Sequence, residues 1–166
     1  MTAAADVAAL ELGAQRGGAR RRIAWDALAD VPAGDVRAFA GAEWLERMKQ
    51  EHLAVGAFSR MAVELAEEGC DDVGLVLVAR AAADEVRHAE VCRNVAVKLL
   101  DAGAVPRRLR GVPRIPEHPS AAPADRALYH VVEMCCLSET VTGVWFTEAI
   151  ARATHPTMRA VLESLL

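Results

Sequence analysis

Five prolines, Pro106, Pro113, Pro116, Pro119 and Pro123, crowd into the stretch from Gly103 to Ala124. Proline has no N–H to donate and its ring clashes with the preceding turn, so no continuous helix crosses this segment. The flanking stretches, about 41–68, 71–102 and 125–153, contain no proline and repeat their apolar residues with helical period. The chain therefore reads as three long helices. Residues 103–124 are a crossover between the second and third, too long for a hairpin but suited to carrying the chain from one end of a bundle to the other.

Local signals set the expected boundaries. The first helix is predicted from about Gly41 to Glu68, with Gly69 as the terminator, and Asp71 or Asp72 opens the second. That second helix runs to about Ala102, so the pair forms an antiparallel hairpin with a very short loop. The third helix is expected from about Asp125 to Ala153. Thr154-His155-Pro156 then breaks the chain, and Pro156 starts a fourth helix with Met158, Val161, Leu162 and Leu165 at core spacing. This fourth helix is incomplete, because the sequence ends at Leu166. Residues 1–22, rich in Ala, Gly and Arg without a stable period, are expected to be a disordered tail. Residues 23–166 form a single domain, in which Ile23–Phe39 supplies a helical turn or two.

Composition supports an all-α class. Hydrophobic residues make up 53% of the chain but aromatics only 4%, so the core is built from Ala, Val, Leu and Met. A net charge of −4 gives no electrostatic reason to bind nucleic acid or an anionic membrane. The basic runs Arg20-Arg21-Arg22 and Arg107-Arg108-Leu109-Arg110 read as solvated segments. No apolar run approaches the length of a membrane span, and Asp6 and Glu11 interrupt any export signal, so a cytoplasmic protein is expected. Cys70, Cys92, Cys135 and Cys136 show no paired spacing and read as reduced, mostly buried thiols.

Against this apolar background a few acids stand out. Glu85 and His88 sit three residues apart, a spacing that on a helix separates them by about 60° and about 4.5 Å along the axis, within reach of one metal ion. Projected at roughly 100° per residue, the face around Glu85 holds Gly74, Val78, Ala81, His88, Ala89, Cys92, Ala96 and Leu99, all small or apolar except His88. A buried carboxylate has to be neutralised, hydrogen-bonded or metal-bound. Glu51 is likewise the only acid on a face with Trp44, Met48, Ala54, Val55, Phe58, Ala62 and Leu65, where Arg47 offers an ordinary ion pair as an alternative. Glu139 stands alone on a face with Leu128, Val132, Cys135, Cys136, Thr142, Gly143, Phe146 and Ile150. Its alternatives are a protonated acid or a hydrogen bond to Thr142. The 34 residues from Glu51 to Glu85 suffice to climb one helix, turn, and return to the same level.

Three words, Glu51-His52-Leu53-Ala54-Val55-Gly56-Ala57-Phe58-Ser59-Arg60, Asp84-Glu85-Val86-Arg87-His88-Ala89 and Glu133-Met134-Cys135-Cys136-Leu137-Ser138-Glu139-Thr140, carry a resemblance to the ferritin-like, carboxylate-bridged di-iron proteins. The likeness is closer to the bacterial ferritin-like domain proteins of unassigned activity and covers about Trp44 to Leu166. It implies an up-down helical bundle, with Glu51 as a terminal ligand, Glu85 as the bridge, His88 as the nitrogen ligand and Glu139 as a terminal ligand of a second metal. It also suggests that Asp84 orients a ligand imidazole. The implied cofactor is iron, two ions in the intact plan, with manganese as the alternative. The family's second Glu-x-x-His would fall near position 170, so this chain holds three or four of the six protein ligands.

Three functions follow as expectations. A di-iron oxidoreductase needs the missing ligands from another chain or a longer product. A mononuclear site would use Glu51, Glu85 and His88 to hold iron, manganese or zinc. A metal-free degenerate bundle would act as an oligomerisation or protein-interaction module. An incomplete fourth helix leaves apolar stripes bare, so a homo-oligomer or a partner helix is expected in each case.

Overall fold

The computed structural model describes residues 23–111 and 115–166. The expected disordered tail, residues 1–22, lies outside them. A 3-10 turn, Trp25–Asp30, leads into α1, Asp35–Glu67, which returns through a tight turn to α2, Asp72–Leu99. A second 3-10 turn, Ala102–Ala104, opens the proline-rich crossover. Beyond it α3 (Pro123–Val131), a π-helical segment (Val132–Ser138) and α4 (Glu139–Arg152) follow end to end, and α5 (Pro156–Glu163) comes after a break. The described residues contain no strand, in keeping with the all-α class. None of their helices is long and apolar enough to cross a membrane.

The α1–α2 turn is made by the residues that signal it. Gly69 takes a left-handed conformation (φ 75°), and the Cys70 N–H bonds back to the Leu65 carbonyl at 2.9 Å, closing α1. Asp71 then caps α2, its Oδ1 accepting from the Gly74 N–H at 2.8 Å. The other end of the hairpin departs from expectation, since α1 begins at Asp35 rather than Gly41. Gly41 lies inside the helix, where a Cβ would come within 2.5 Å of Leu100 Cγ, so its role is close packing against the end of α2. Arg37 makes the extension worthwhile. Its guanidinium donates to the Lys98 and Leu99 carbonyls at 2.7 and 3.1 Å and to those of Ala29 and Val31, satisfying the exposed end of α2 and joining it to the first 3-10 turn.

The third long helix has the expected extent but not a uniform pitch. The Glu139 N–H bonds to the Met134 carbonyl five residues back. A π turn holds more residues than an α turn, so it rotates every face downstream relative to the face upstream. The projected Glu139 stripe assumed one pitch and is corrected here: Leu128, Val132, Cys135 and Cys136 are exposed, while Ala127, Val131 and Met134 turn inward with Phe146. Of the four thiols expected to be mostly buried, only Cys92 is buried, with Cys70 half-buried.

Short as it is, α5 is built into the core. Leu162 and Leu165 pack with Met48, Cys92, Ala96 and Phe146, and Val161 packs with Leu28, Val95 and Leu99. The C-terminal helix thus closes one end of the α1–α2 hairpin against α4. Val86, Leu137, Val141 and Val144 remain exposed. The crossover is tied down at two points: Arg93 donates to the Pro106 and Arg107 carbonyls at 2.9 and 3.0 Å, and His130 Nε2 meets the Pro116 carbonyl at 2.9 Å.

Candidate metal centre

The hairpin register brings Glu51 of α1 level with Glu85 and His88 of α2. His88 Nδ1 lies 3.5 Å from Glu85 Oε2 and 3.6 Å from Glu51 Oε2. Both glutamates are buried at 7% exposure, and one donor atom from each of the three residues falls within 4.8 Å of the others. Buried Glu85 Oε2 makes no close hydrogen bond; His88 Nδ1 approaches it only to 3.5 Å.

Each group's protonation follows from its neighbours. Burial pushes the Glu51 carboxyl up, but hydrogen bonding from His88 and Glu85 and the charge of Arg47 outweigh it and bring the pKa down to about 2. The Arg47 partnership weighed at the sequence level is present: its Nε donates to Glu51 Oε1 at 2.6 Å. Glu85 has no cation of that kind. Burial, reinforced by the Glu51 charge and opposed by His88, raises it to about 7. For His88, burial disfavours a charged ring, but hydrogen bonding to Glu51 and Glu85 prevails and raises its pKa. The proton they attract belongs on Nδ1. Arg87 Nη2, a donor only, sits 2.9 Å from Nε2, so this contact is a hydrogen bond only in the neutral ring, with the proton on Nδ1 and the lone pair on Nε2. One turn further on, burial pushes the Cys92 thiol up to about 12, so it is neutral wall.

Glu139 is brought to the same cavity but not into the cluster. It lines a space of about 200 Å³ with Glu51, Glu85, His88, Met134 and Phe146, yet is itself exposed. Burial of its inner part, and the Glu51 charge beyond, raise its pKa. Asp84, expected to orient an imidazole, instead faces Arg80 at 3.8 Å and Arg87 at 3.5 Å, and reaches His88 only through Arg87.

Sequence reasoning missed two features. Arg87 both contacts His88 and donates to the Ser164 carbonyl, linking the site to the end of α5. A second buried polar pair, Glu64 and His130, meets at 2.6 Å, and His130 is only 1% exposed. Arg60, four residues before Glu64, was a local hint. The His130 contact spans 66 residues, and no helical projection reveals it.

Two buried carboxylates and an imidazole suit a divalent ion of the iron and manganese type. The Glu85 oxygen fits the same conclusion, since its nearest donor, His88 Nδ1 at 3.5 Å, is too far for a close hydrogen bond and a cation could take its place. No protein-family model matches the chain, and no curated protein or solved structure matches it either.

Proposed function

We propose that this chain is a ferritin-like, metal-binding helical protein in which Glu51, Glu85 and His88 hold a single iron or manganese ion, the remnant of a two-metal plan. The observation that carries the reading is the buried cluster itself: Glu51, Glu85 and His88 bring donor atoms within 4.8 Å of one another, and Glu85 Oε2 has no close hydrogen bond. When bound, iron would supply one-electron redox chemistry within a cavity of mixed polar and apolar lining. Phe58, Met134, Phe146 and Leu165 restrict water there, and Arg47 offsets the charge of Glu51. His88 would have to present Nδ1 free of its proton, which moves that proton to Nε2 and Arg87 off the ring. Glu139, at the mouth, is placed to exchange protons with solvent rather than to complete the cluster. A second metal would need ligands from another chain or from a longer product, and the exposed apolar residues of α4 favour a self-associating protein.

Anaerobic loading with ferrous or manganous ion, followed by metal analysis, tests the reading. The expected result is one ion per chain, matching the one cluster of three potential ligands, and none in Glu85→Ala. Equal metal content in the two proteins would remove Glu85 from the site.

A metal-free reading has its own support in the 2.6 Å bond by which Arg47 neutralises Glu51. On that reading the guanidinium stands where an ion would, and the bundle acts as an interaction module. Absence of metal from the loaded wild-type chain would select it.

A further inference from the structure

A second cavity, of about 390 Å³, opens between α1 and α4 and shares Arg47, Gln50 and Phe146 with the metal-centre cavity. Its walls are unusual for this chain. Of three tryptophans and three phenylalanines in the whole sequence, two of each line it: Trp44, Trp145, Phe39 and Phe146. Two carboxylates, Glu43 and Glu46, join them. Its volume lies in the range of small-ligand sites, roughly 300–1,000 Å³.

The electrostatics favour one kind of ligand. Among the described residues Arg47 is the sole cation lining the cavity, and Glu51 already neutralises it at 2.6 Å. Glu46 is paired with Lys49 at 2.8 Å, whereas Glu43 has no ion-pair partner among the described residues. Among the described residues the cavity therefore keeps one carboxylate, exposed Glu43, without a paired cation, beside electron-rich ring faces. Those rings already accept a cation, since the Arg47 guanidinium lies 4.6 Å from the Phe146 centroid and 5.7 Å from that of Trp145. Trp145 and Phe39 keep 54% and 67% of their surface open to an incoming group. An anionic ligand would meet Glu43 with no free cation to receive it. A second protein copy seated here would bury the Glu43 charge without compensation.

We propose that this cavity binds a small organic cation, an alkylated or quaternary ammonium group, against the faces of Trp145 and Phe39 with Glu43 as its counter-charge. The site does not require metal at Glu51, so its failure would leave the metal-centre reading untouched, and the reverse holds too.

The test uses the full chain in the presence of a chelator, with choline as the probe and 3,3-dimethyl-1-butanol as its uncharged isostere. Calorimetric titration is expected to show saturable choline binding, with the neutral isostere about tenfold weaker or worse. The Trp145 indole N–H signal should shift along the same titration curve. Trp145→Leu, which keeps an apolar side chain at a position 54% exposed, is expected to weaken choline binding about tenfold. Glu43→Gln should weaken it several-fold and reduce its salt dependence. Equal binding of the neutral isostere, an unaffected Trp145→Leu variant, no saturable choline binding, or a self-associated chain that excludes choline would each overturn the proposal.

Discussion

Arg47 and Glu51, one turn apart on α1, form the tightest ion pair of the candidate centre, at 2.6 Å. That pair competes with any metal for the same carboxylate. Arg47→Met keeps the apolar stem against Phe146 and removes the charge. The metal-free protein should lose about 1–3 kcal/mol, because buried Glu51 forfeits its principal cation. Divalent-metal affinity should rise roughly tenfold or more, as a unit charge a few ångströms from the ion no longer repels it. Urea midpoints in chelator and competition against a chromophoric chelator measure the two effects, which have opposite signs.

Glu85 carries a pH signature of its own. Its folded pKa, raised to about 7 from 4.5, lets the native chain hold a proton that the unfolded chain has released. This contribution to stability is fully present below about 4.5 and is lost as pH rises to about 7. Glu85→Gln removes the dependence. It should match the wild-type chain near pH 4.5 and exceed it at pH 8 by on the order of 2 kcal/mol, while losing metal. Denaturation curves at the two pH values in chelator decide the point. A variant less stable than wild type at pH 8 would mean that the Glu85 carboxylate is satisfied by a group outside the cluster.

Glu139 offers a sharper contrast with the resemblance, which makes it a ligand. Exposed at the cavity mouth and outside the cluster, it should be dispensable for loading. Glu139→Gln is expected to leave metal content unchanged. A variant that emerges empty from iron loading would restore it as a ligand.

His130 holds the crossover to the hairpin through Glu64 at 2.6 Å and the Pro116 carbonyl at 2.9 Å. His130→Ala leaves a void and an abandoned carboxylate and should cost about 2–4 kcal/mol. The crossover should also become more sensitive to proteases. Limited proteolysis, with the cut sites mapped by mass, would show cleavage between residues 103 and 122 ahead of global unfolding. Burial pushes Glu64 up, but His130 and Arg60 outweigh it and lower its pKa, so this stabilisation is lost as pH falls through the carboxylate range.

Glu51, Glu85 and His88 were legible in the sequence because their signal is local: one polar group on each apolar turn, and a 34-residue register that a short turn preserves. Gly69 and Asp71 were legible for the same reason, since caps act within a turn of themselves. Glu139 was only half legible. Its stripe was projected through residues that wind as a π segment, and no local pattern announces where the winding changes. Arg37, Arg87 and His130 left no periodic trace, because each makes its tertiary link to a partner 61 to 77 residues away.

The sequence by itself determined the all-α class, the hairpin turn, the crossover and the identity of the three clustered residues Glu51, Glu85 and His88, all consequences of nearest-turn geometry and proline chemistry. Only the tertiary structure decided how the neighbours of those three residues shift their protonation, that Glu139 stops at the rim, and that aromatic faces from α1 and α4 meet around Arg47. Burial, charge proximity and the facing of rings are properties of elements packed together. They depend on distances between segments far apart in the chain, which a helical period cannot encode.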